Sequence, residues 1–338
     1  MKTSHFILSI FLAIVIAKLN PSIGSTGGLL KPEITVKYIT VSLVFLNTGL
    51  SLPTEELKVA ILRWDLHLYV QGFTFFVFPC IMRGVVFVLQ HTFLHPALLD
   101  GLMILSTMPP PVSSAIILTK LVGGNVAASV FNSALGSLLG IFITPALILF
   151  MFGSSEVEVP AEKIFQQLFM TVLVPLVFGQ IIRNRHQRWL HRQNLPFGTV
   201  GQVLTVYIIY ATFCSTFART DLDLDTFSLV ALVFIILCLQ MGIMALLLLT
   251  SSRGIFHFDS HDSVAITYGG THKSLTLGIP LIEIIFEGNP DMSIMSIPLL
   301  IYSPMQILLG SLTVAPFKMW LDNQKWIGSS GKSLGLQV

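Results

Sequence analysis

Long uncharged stretches separated by short charged ones are the dominant pattern along this chain. Nine such runs occur, and all but the first have at least the ~17 residues that a helix needs to cross a bilayer. A further stretch is divided by Lys273 into two runs that are each too short to span alone, Ser263–His272 and Ser274–Ile282. Together they have the length of one span, which predicts ten transmembrane helices; nine spans and a re-entrant segment are the alternative. The nine runs are Thr3–Ala17, Tyr38–Thr54, Leu66–Met82, Gly101–Thr119, Leu121–Ser155, Ile164–Ile182, Gln193–Ala218, Thr226–Ser252 and Met292–Phe317.

The first run needs an extension past Lys18 to cross the membrane, and the long stem of that lysine is able to reach the interface. A cleaved signal peptide is the alternative, because one lysine precedes the apolar stretch. No A-x-A site follows it, which favours a first transmembrane helix.

Composition narrows the class of protein. Hydrophobic residues make up 53% of the chain and charged residues 11%, less than half of the ~25% charged residues typical of soluble domains. A soluble enzyme, a nucleic-acid binder and a disordered scaffold are therefore excluded. The prediction is an all-α integral membrane protein.

The basic residues indicate an orientation. With the N-terminus in the cytoplasm, twelve of the 19 Lys and Arg residues fall on the cytoplasmic side and six on the other. The segment Arg183–Arg192 supplies most of this excess. Because cytoplasmic loops are enriched in Lys and Arg, both termini are predicted to be cytoplasmic.

Ten spans divide into two groups of five, so the second group enters the membrane inverted relative to the first. Inverted repeats are typical of secondary transporters, whose substrate sites lie on discontinuous helices. We expect a first repeat at 1–155, a second at 156–321 and a cytoplasmic tail at 322–338. Both repeats have a predicted break in the same ordinal span: Pro109, Pro110 and Pro111 interrupt the fourth, Gly269 and Gly270 the ninth. Free N–H groups at such a break are suited to an anion.

Lys273 is the one basic residue predicted to lie inside a span. An intramembrane cation is costly and must face a cavity or a partner. Two interpretations remain open: a fixed positive charge for an anionic ligand, or a structural cation held by carbonyls and hydroxyls. Further polar candidates surround it in the ninth span, namely Tyr268, Thr271, His272 and Ser274.

The fifth span carries a polar stripe whose spacing places its members on one helical face. Ligand contact and helix packing are both open explanations, since such stripes also join membrane helices. The stripe consists of Asn125, Ser129, Asn132 and Ser133.

Catalytic and cofactor motifs are missing from the sequence. No HExxH, Walker or G-x-G-x-x-G motif occurs. We therefore expect no enzyme activity, no cofactor and no resident metal. An intramembrane enzyme is a disfavoured alternative.

Several of these residues carry a resemblance to a known family. The segments Gly124–Ser129, Phe131–Ser133, Met108–Ala115 and Thr271–Pro280 (THKSLTLGIP) resemble the bile acid:sodium symporter family, most closely its divergent seventh-member branch. The resemblance covers essentially the whole chain. It implies ten helices in a panel and a core domain, with the fourth and ninth broken and crossing at their unwound centres.

The resemblance also implies residue roles. In members that use sodium, polar groups of the fourth, fifth and ninth helices bind the ion, and the matching positions of the fourth and fifth are Ser113, Ser114, Ser129 and Ser133. The ninth helix of those members reads Glu-x-Gly-x-Gln-Asn-Ser, whereas residues 268–274 here read Tyr-Gly-Gly-Thr-His-Lys-Ser. Losing the carboxylate and gaining an ammonium reverses the local field. The hypothesis is that Lys273 stands where a sodium ion would otherwise sit.

The resulting functional prediction is a multi-pass secondary transporter for an unidentified anionic organic solute, without classical sodium coupling. The branch resembled implies links to calcium and to secretory-pathway and glycoconjugate homeostasis, and location in the plasma membrane, Golgi apparatus or endoplasmic reticulum. The alternative is a non-transporting regulator of calcium entry or secretory traffic that acts through a membrane-protein partner. Predicted partners are the solute and the lipid bilayer, not nucleic acid.

Overall fold

The computed structural model describes residues 3–51, 63–111, 114–152, 166–167, 169–193, 195–218, 225–253 and 258–334. Within these ranges the secondary structure is helical and contains no β-strand, which confirms the predicted all-α class for this part of the chain. Its main helices are α1 (Thr3–Leu19), α2 (Pro32–Ser51), α3 (Trp64–Leu89), α4 (Pro96–Thr107), α5 (Ser114–Val122), α6 (Val126–Phe152), α7 (Val174–Gln193), α8 (Phe197–Phe217), α9 (Thr226–Arg253), α10 (Ser260–Thr271), α11 (Leu275–Ile285) and α12 (Met292–Leu334).

Six helical stretches of the described residues are long and apolar enough to cross a membrane. Large apolar side chains point away from the bundle, and Phe150 of α6 is 83% exposed. Such a surface is stable against lipid and not against water. The protein is therefore a multi-pass membrane protein. The six stretches are Pro32–Ser51, Trp64–Leu89, Val126–Phe152, Phe197–Ser215, Phe227–Arg253 and Met292–Gln324.

The helices pack in two groups. The first consists of α1, α2, α7 and α8, and the second contains α3 to α6 with α9, α10 and α12. Helix α11 lies between them, since it contacts both α8 and α12. In the first group α2 and α7 approach closely at two glycines, where a Cβ on Gly49 would lie 3.2 Å from the Cα of Gly179.

The predicted break in the fourth span is confirmed. Helix α4 ends at Thr107 and α5 begins at Ser114, and the residues from Met108 to Pro111 are not helical. Three consecutive prolines cannot donate the backbone hydrogen bonds of a helix, and their rings clash with the preceding turn.

The break in the ninth span lies three residues later than predicted. Gly269 and Gly270 are part of α10, which continues to Thr271, and the interruption comprises residues 272–274. The sequence-based assignment of the two glycines as the break is therefore wrong. Gly270 serves packing instead, because a Cβ there would lie 2.8 Å from Cδ1 of Leu247 on α9.

Candidate functional site

The two breaks touch each other, and we call their meeting point the crossing: residues 108–111 together with residues 272–274. The backbone N–H of Ser274 donates a hydrogen bond to the carbonyl of Pro109 at 2.8 Å. The breaks leave the N–H of Ser274 and the carbonyl of Pro109 without helical partners, so each supplies a partner to the other.

The side chain of Lys273 fills the crossing and is fully buried. Its ammonium donates to the carbonyls of Ser106 and Met108 at 2.9 Å each and, at 3.4 Å, to that of Thr74. The same Nζ lies 4.1 Å from the ring centroid of Phe78. Its partners in the described part of the chain include no carboxylate. Of the two interpretations left open by the sequence, a cation held by carbonyls matches this geometry.

Every carbonyl from residue 106 to residue 110 has a partner from another element. Lys273 Nζ donates to the carbonyls of Ser106 and Met108, and the backbone N–H of Ser274 donates to that of Pro109. The hydroxyl of Thr144 donates to the carbonyl of Thr107 at 2.7 Å, and that of Ser137 donates to the carbonyl of Pro110 at 3.5 Å. A broken helix at this depth is tolerated only when protein groups satisfy its backbone.

Helix α12 supports the other side of the crossing. The amide of Gln306 accepts from the backbone N–H of Lys273 at 2.7 Å and donates to its carbonyl at 3.0 Å. The hydroxyl of Tyr302 donates to the carbonyl of Thr271 at 2.6 Å. Neither Gln306 nor Tyr302 is among the sequence-based candidates. A lone glutamine in the last uncharged run is the signal that points to this role, because a buried amide needs partners.

Tyr268 and His272 face away from Lys273. The Tyr268 hydroxyl donates to the carbonyl of Gly310 at 3.3 Å and lies 3.0 Å from the Thr313 hydroxyl, both on α12. His272 Nδ1 lies 3.0 Å from the Ser114 hydroxyl, which joins the second break to the start of α5. His272 Nε2 is buried without a partner among the described residues.

The α6 stripe has mixed roles. Asn132 joins α6 to α3, because its carbonyl and its Oδ1 accept from Gln71 Nε2 at 3.0 and 3.3 Å. Ser129 accepts a long hydrogen bond of 3.4 Å from Thr119. The Ser133 hydroxyl is fully buried and has no partner in the described residues.

Asn125 lies at the far end of the stripe and caps a helix. Its Oδ1 accepts from the backbone N–H of Ala128, and its Nδ2 donates to Asp262 at 2.7 Å. Asp262 also forms an ion pair of 2.7 Å with Arg63. These contacts tie together the starts of α3, α6 and α10 and do not reach the crossing.

The remaining sequence-based candidates are Ser274, Thr271 and Ser113. Ser274 caps α11 by accepting from the backbone N–H of Leu277 at 3.4 Å, and the Thr271 hydroxyl donates within α10 to the carbonyl of Thr267. Ser113 lies outside the described residues.

Three buried side-chain oxygens near the crossing lack a partner within the described ranges: Gln71 Oε1, Thr74 Oγ1 and Ser133 Oγ. A Cβ on Gly136, which packs against Pro110, would lie 3.0 Å from Gln71 Oε1. No group of three or more His, Cys, Asp or Glu side chains is arranged for a metal ion among the residues that the structure describes. The crossing therefore offers one cation and several neutral oxygens.

Comparison with known proteins finds one transporter family and relatives that match most of the chain. The model of the SBF-like CPA transporter family matches residues 4–319. Sodium/bile acid cotransporter 7-B of Xenopus laevis is 53% identical over 325 residues, covering 96% of this chain and 94% of that protein. Sodium/bile acid cotransporter 7 of Mus musculus is 52% identical over 320 residues, 95% and 94% of the two chains. An uncharacterized protein of Pseudomonas aeruginosa, PA2026, is 27% identical over 305 residues, 90% of each.

Proposed function

Because this chain belongs to the SBF-like CPA transporter family, we propose that it is a secondary transporter for an organic anion and not an enzyme. Transport proceeds by alternating access around the crossing. The similar relatives are named as sodium/bile acid cotransporters, and bile acids are organic anions. We propose that the solute of this chain is likewise an organic anion and that sodium is not the coupling ion.

The position of Lys273 carries this proposal. Its ammonium occupies a cluster of carbonyl oxygens, which are the ligands that hard cations prefer. A tethered cation there takes the place of a bound ion. Lys273 is thus a structural cation held by carbonyls, and since no carboxylate neutralises it among the described residues, its field also favours an anion nearby without direct contact.

We assign solute contact to buried polar groups that have no partner among the described residues. These are the oxygens of Gln71, Thr74 and Ser133 and Nε2 of His272, all buried around the crossing. The Thr74 and Ser133 hydroxyls are able to donate to an anionic group, whereas Gln71 Oε1 accepts from the hydroxyl groups that many organic anions carry.

Sodium dependence is tested by thermal melting of the purified protein in sodium chloride and in equimolar choline chloride. We expect the same melting temperature in both salts, since a ligand stabilises only the state that binds it. Lys273→Ala empties the carbonyl cluster and is expected to melt higher in sodium chloride. A sodium-dependent rise in the unsubstituted protein contradicts the proposal, and so does the absence of any rise in Lys273→Ala.

The solute class is tested with a panel of carboxylated and sulfated organic anions, including taurocholate and oestrone sulfate. We expect saturable thermal stabilisation by a member of the panel and its uptake into proteoliposomes without a sodium gradient. Both effects should be lost in Lys273→Met and in Ser133→Ala. A panel without effect contradicts transport of organic anions and favours a regulator that does not transport.

We propose that the chain crosses the membrane ten times, as two inverted repeats at 1–155 and 156–321. Counting α4 with α5 and α10 with α11 as one crossing each, the fourth and the ninth are the broken ones. The proposed tail at 322–338 begins inside α12, which extends to Leu334. Both termini are proposed to be cytoplasmic.

Location and physiology rest on the family resemblance alone. We propose residence in the plasma membrane, the Golgi apparatus or the endoplasmic reticulum, and a role in calcium and secretory-pathway homeostasis, with or without a membrane-protein partner. Immunolocalisation against organelle markers, and calcium entry measured in cells lacking the protein, are the corresponding tests.

A further inference from the structure

A cavity of about 470 Å³ lies at one end of the bundle, away from the crossing. It is formed where four helices begin or end: the start of α2, the end of α8, the end of α11 and the start of α12. Its size is in the range of cavities that hold small solutes. The cavity also separates the two packing groups, because α2 and α8 belong to the first and α12 to the second.

Glu283 of α11 is the carboxylate at the inner end of this cavity. Its Oε2 accepts a hydrogen bond from the Thr212 hydroxyl of α8 at 3.2 Å. A second space that Glu283 and Thr212 also line continues beyond them, and it is too narrow to hold a water molecule. The other side chains around that space are mostly apolar: Ile209, Phe213, Ile279, Ile282 and Ser296. The two residues thus mark the boundary between a cavity wide enough for water and a dry seam.

No other charge neutralises Glu283 in the described part of the chain. Lys37 is the one basic side chain among the described residues that line the cavity, and it forms an ion pair with Glu287. Glu33, the third acidic residue of the lining, accepts from the backbone N–H of Gly27 at 3.4 Å. The parts of α8 and α12 that line the cavity contribute Thr, Ser, Ala and Met but no titratable group. Among the described residues, neither α6 nor the part of α2 after Lys37 contributes a titratable group to the lining.

The Thr212 hydroxyl is placed to serve both protonation states of Glu283. It also lies 2.8 Å from the Ile208 carbonyl as a donor. With Glu283 ionised, Thr212 donates its proton to the carboxylate. With Glu283 protonated, the acid donates to Thr212 Oγ1, which then donates to the Ile208 carbonyl, so the pair needs no water. An ionised carboxylate retains lone pairs that only water or a cation satisfies.

Closing the cavity moves Glu283 into the dry seam, which is costly for the ionised form and not for the protonated one. A metal cation needs several oxygen ligands, and one carboxylate with one hydroxyl is too few, whereas a proton needs a single acceptor. We propose that Glu283 is a proton-binding site and that proton uptake from the cavity permits its closure, so that the proposed transport is coupled to protons. The coupling to transport rests on the proposed function; the gating of the cavity does not.

The test measures how accessible the cavity is at different pH values, without any solute. Cys80, Cys214 and Cys238 are replaced by alanine, and Ser215→Cys reports on the cavity that Ser215 lines. Its rate of reaction with a membrane-impermeant maleimide is measured in nanodiscs from about pH 8 to about pH 5.5. Division by the rate for Thr92→Cys, an exposed position between α3 and α4, removes the pH dependence of the thiol itself.

We expect the normalised rate to fall about fivefold or more as the pH falls, because protonation shifts the population towards the closed cavity. Glu283→Gln mimics the protonated state and should react slowly at all pH values. Glu283→Asp keeps a titratable carboxylate and should keep the fall. Glu33→Gln is the matched control: it removes another carboxylate of the same cavity, leaves the ion pair of Lys37 with Glu287 intact and should also keep the fall.

The proposal is overturned if the rate is independent of pH with Glu283 present, if the fall persists in Glu283→Gln, or if Glu283→Gln reacts rapidly at all pH values. Thermal melting identifies any variant that fails to fold, and Glu283→Asp then carries the test. Since no organic anion and no sodium are present, this result and that of the solute panel are independent.

Discussion

At the scale of single residues, the crossing depends on one ammonium that acts as a helix cap. The carbonyls of Ser106 and Met108 lie at the end of α4, where unsatisfied carbonyls concentrate partial negative charge. Lys273 reaches them from the other broken segment and brings the positive charge that this end of a helix attracts. The same side chain therefore satisfies the backbone of one break and fixes the position of the other.

Replacing Lys273 by methionine should destabilise the protein. Met fills much of the volume but leaves the carbonyls without a donor, at a cost of about 2–4 kcal/mol. Thermal melting in nanodiscs should show a clear decrease for Lys273→Met. Lys318→Met, at an exposed position of α12, is the control and should change stability by less than about 0.5 kcal/mol. Equal melting of the two variants would mean that the ammonium does not hold the crossing.

Gln306 stabilises the crossing through the backbone of Lys273 rather than through its ammonium. Gln306→Leu keeps the size of the side chain and removes a donor and an acceptor, which leaves a buried N–H and a buried C=O unpaired. We expect a loss of about 2 kcal/mol or more, read as a lower melting temperature. The matched change Gln324→Leu, at an exposed position of the same helix, should have little effect, and a similar decrease in both variants would refute the assignment.

At the scale of elements, α6 is shaped to accept the proline break. A Cβ on Gly136 would lie 2.7 Å from Cδ of Pro110, and one on Gly140 would lie 2.6 Å from Cγ of Pro109. Ser137, which lies between these glycines, and Thr144, which lies one turn beyond Gly140, donate to the carbonyls of Pro110 and Thr107. The helix face thus combines close approach with hydrogen bonding, which is why a non-helical segment is stable against it.

Alanine at Gly136 or Gly140 should therefore be destabilising. The proline rings are rigid and cannot yield to a new methyl group, so we expect a cost of about 1–3 kcal/mol for each change. Gly242→Ala is the control, because the space around Gly242 in α9 is open for 4 Å and alanine favours a helix by up to about 1 kcal/mol. Melting temperatures should fall for the first two variants and not for the third; a fall limited to the control would exclude this packing argument.

At the scale of the whole molecule, the arrangement of helices predicts which connections share a side of the membrane. In the proposed topology of ten crossings, successive crossings alternate, so the connection between α1 and α2 is expected on the same side as the one between α3 and α4. The end of α5 and the end of α9 lie on the opposite side. From the excess of basic residues we propose that the ends of α5 and α9 lie on the cytoplasmic side.

Side-specific labelling in sealed microsomes, whose cytoplasmic face is outward, checks this orientation. In the background without native cysteines, Lys120→Cys and Arg253→Cys should react with an impermeant maleimide in intact vesicles. Leu29→Cys and Thr92→Cys should react only after detergent is added, although all four positions are exposed. Labelling of Leu29→Cys in intact vesicles, or protection of Arg253→Cys, would reverse or break the proposed topology.

Much of the fold follows from the sequence because the membrane imposes simple requirements. Apolar length and low charge predict the all-α membrane class, and three prolines in a row predict the break at residues 109–111. Glycines are less informative, since a glycine either interrupts a membrane helix or lets a neighbour approach. Gly270 does the latter, and so the glycines predict the second break three residues before the one that the structure has.

That Lys273 is exceptional follows from the sequence alone, because a lysine within a span must find a partner. The identity of that partner depends on the folded structure: it consists of carbonyls at the end of α4, which lie 165 and 167 residues away in the chain. It alone also brought Glu283 beside Thr212 at the inner end of a cavity. Composition and spacing report which groups need partners, whereas long-range packing of helices decides which partners they receive.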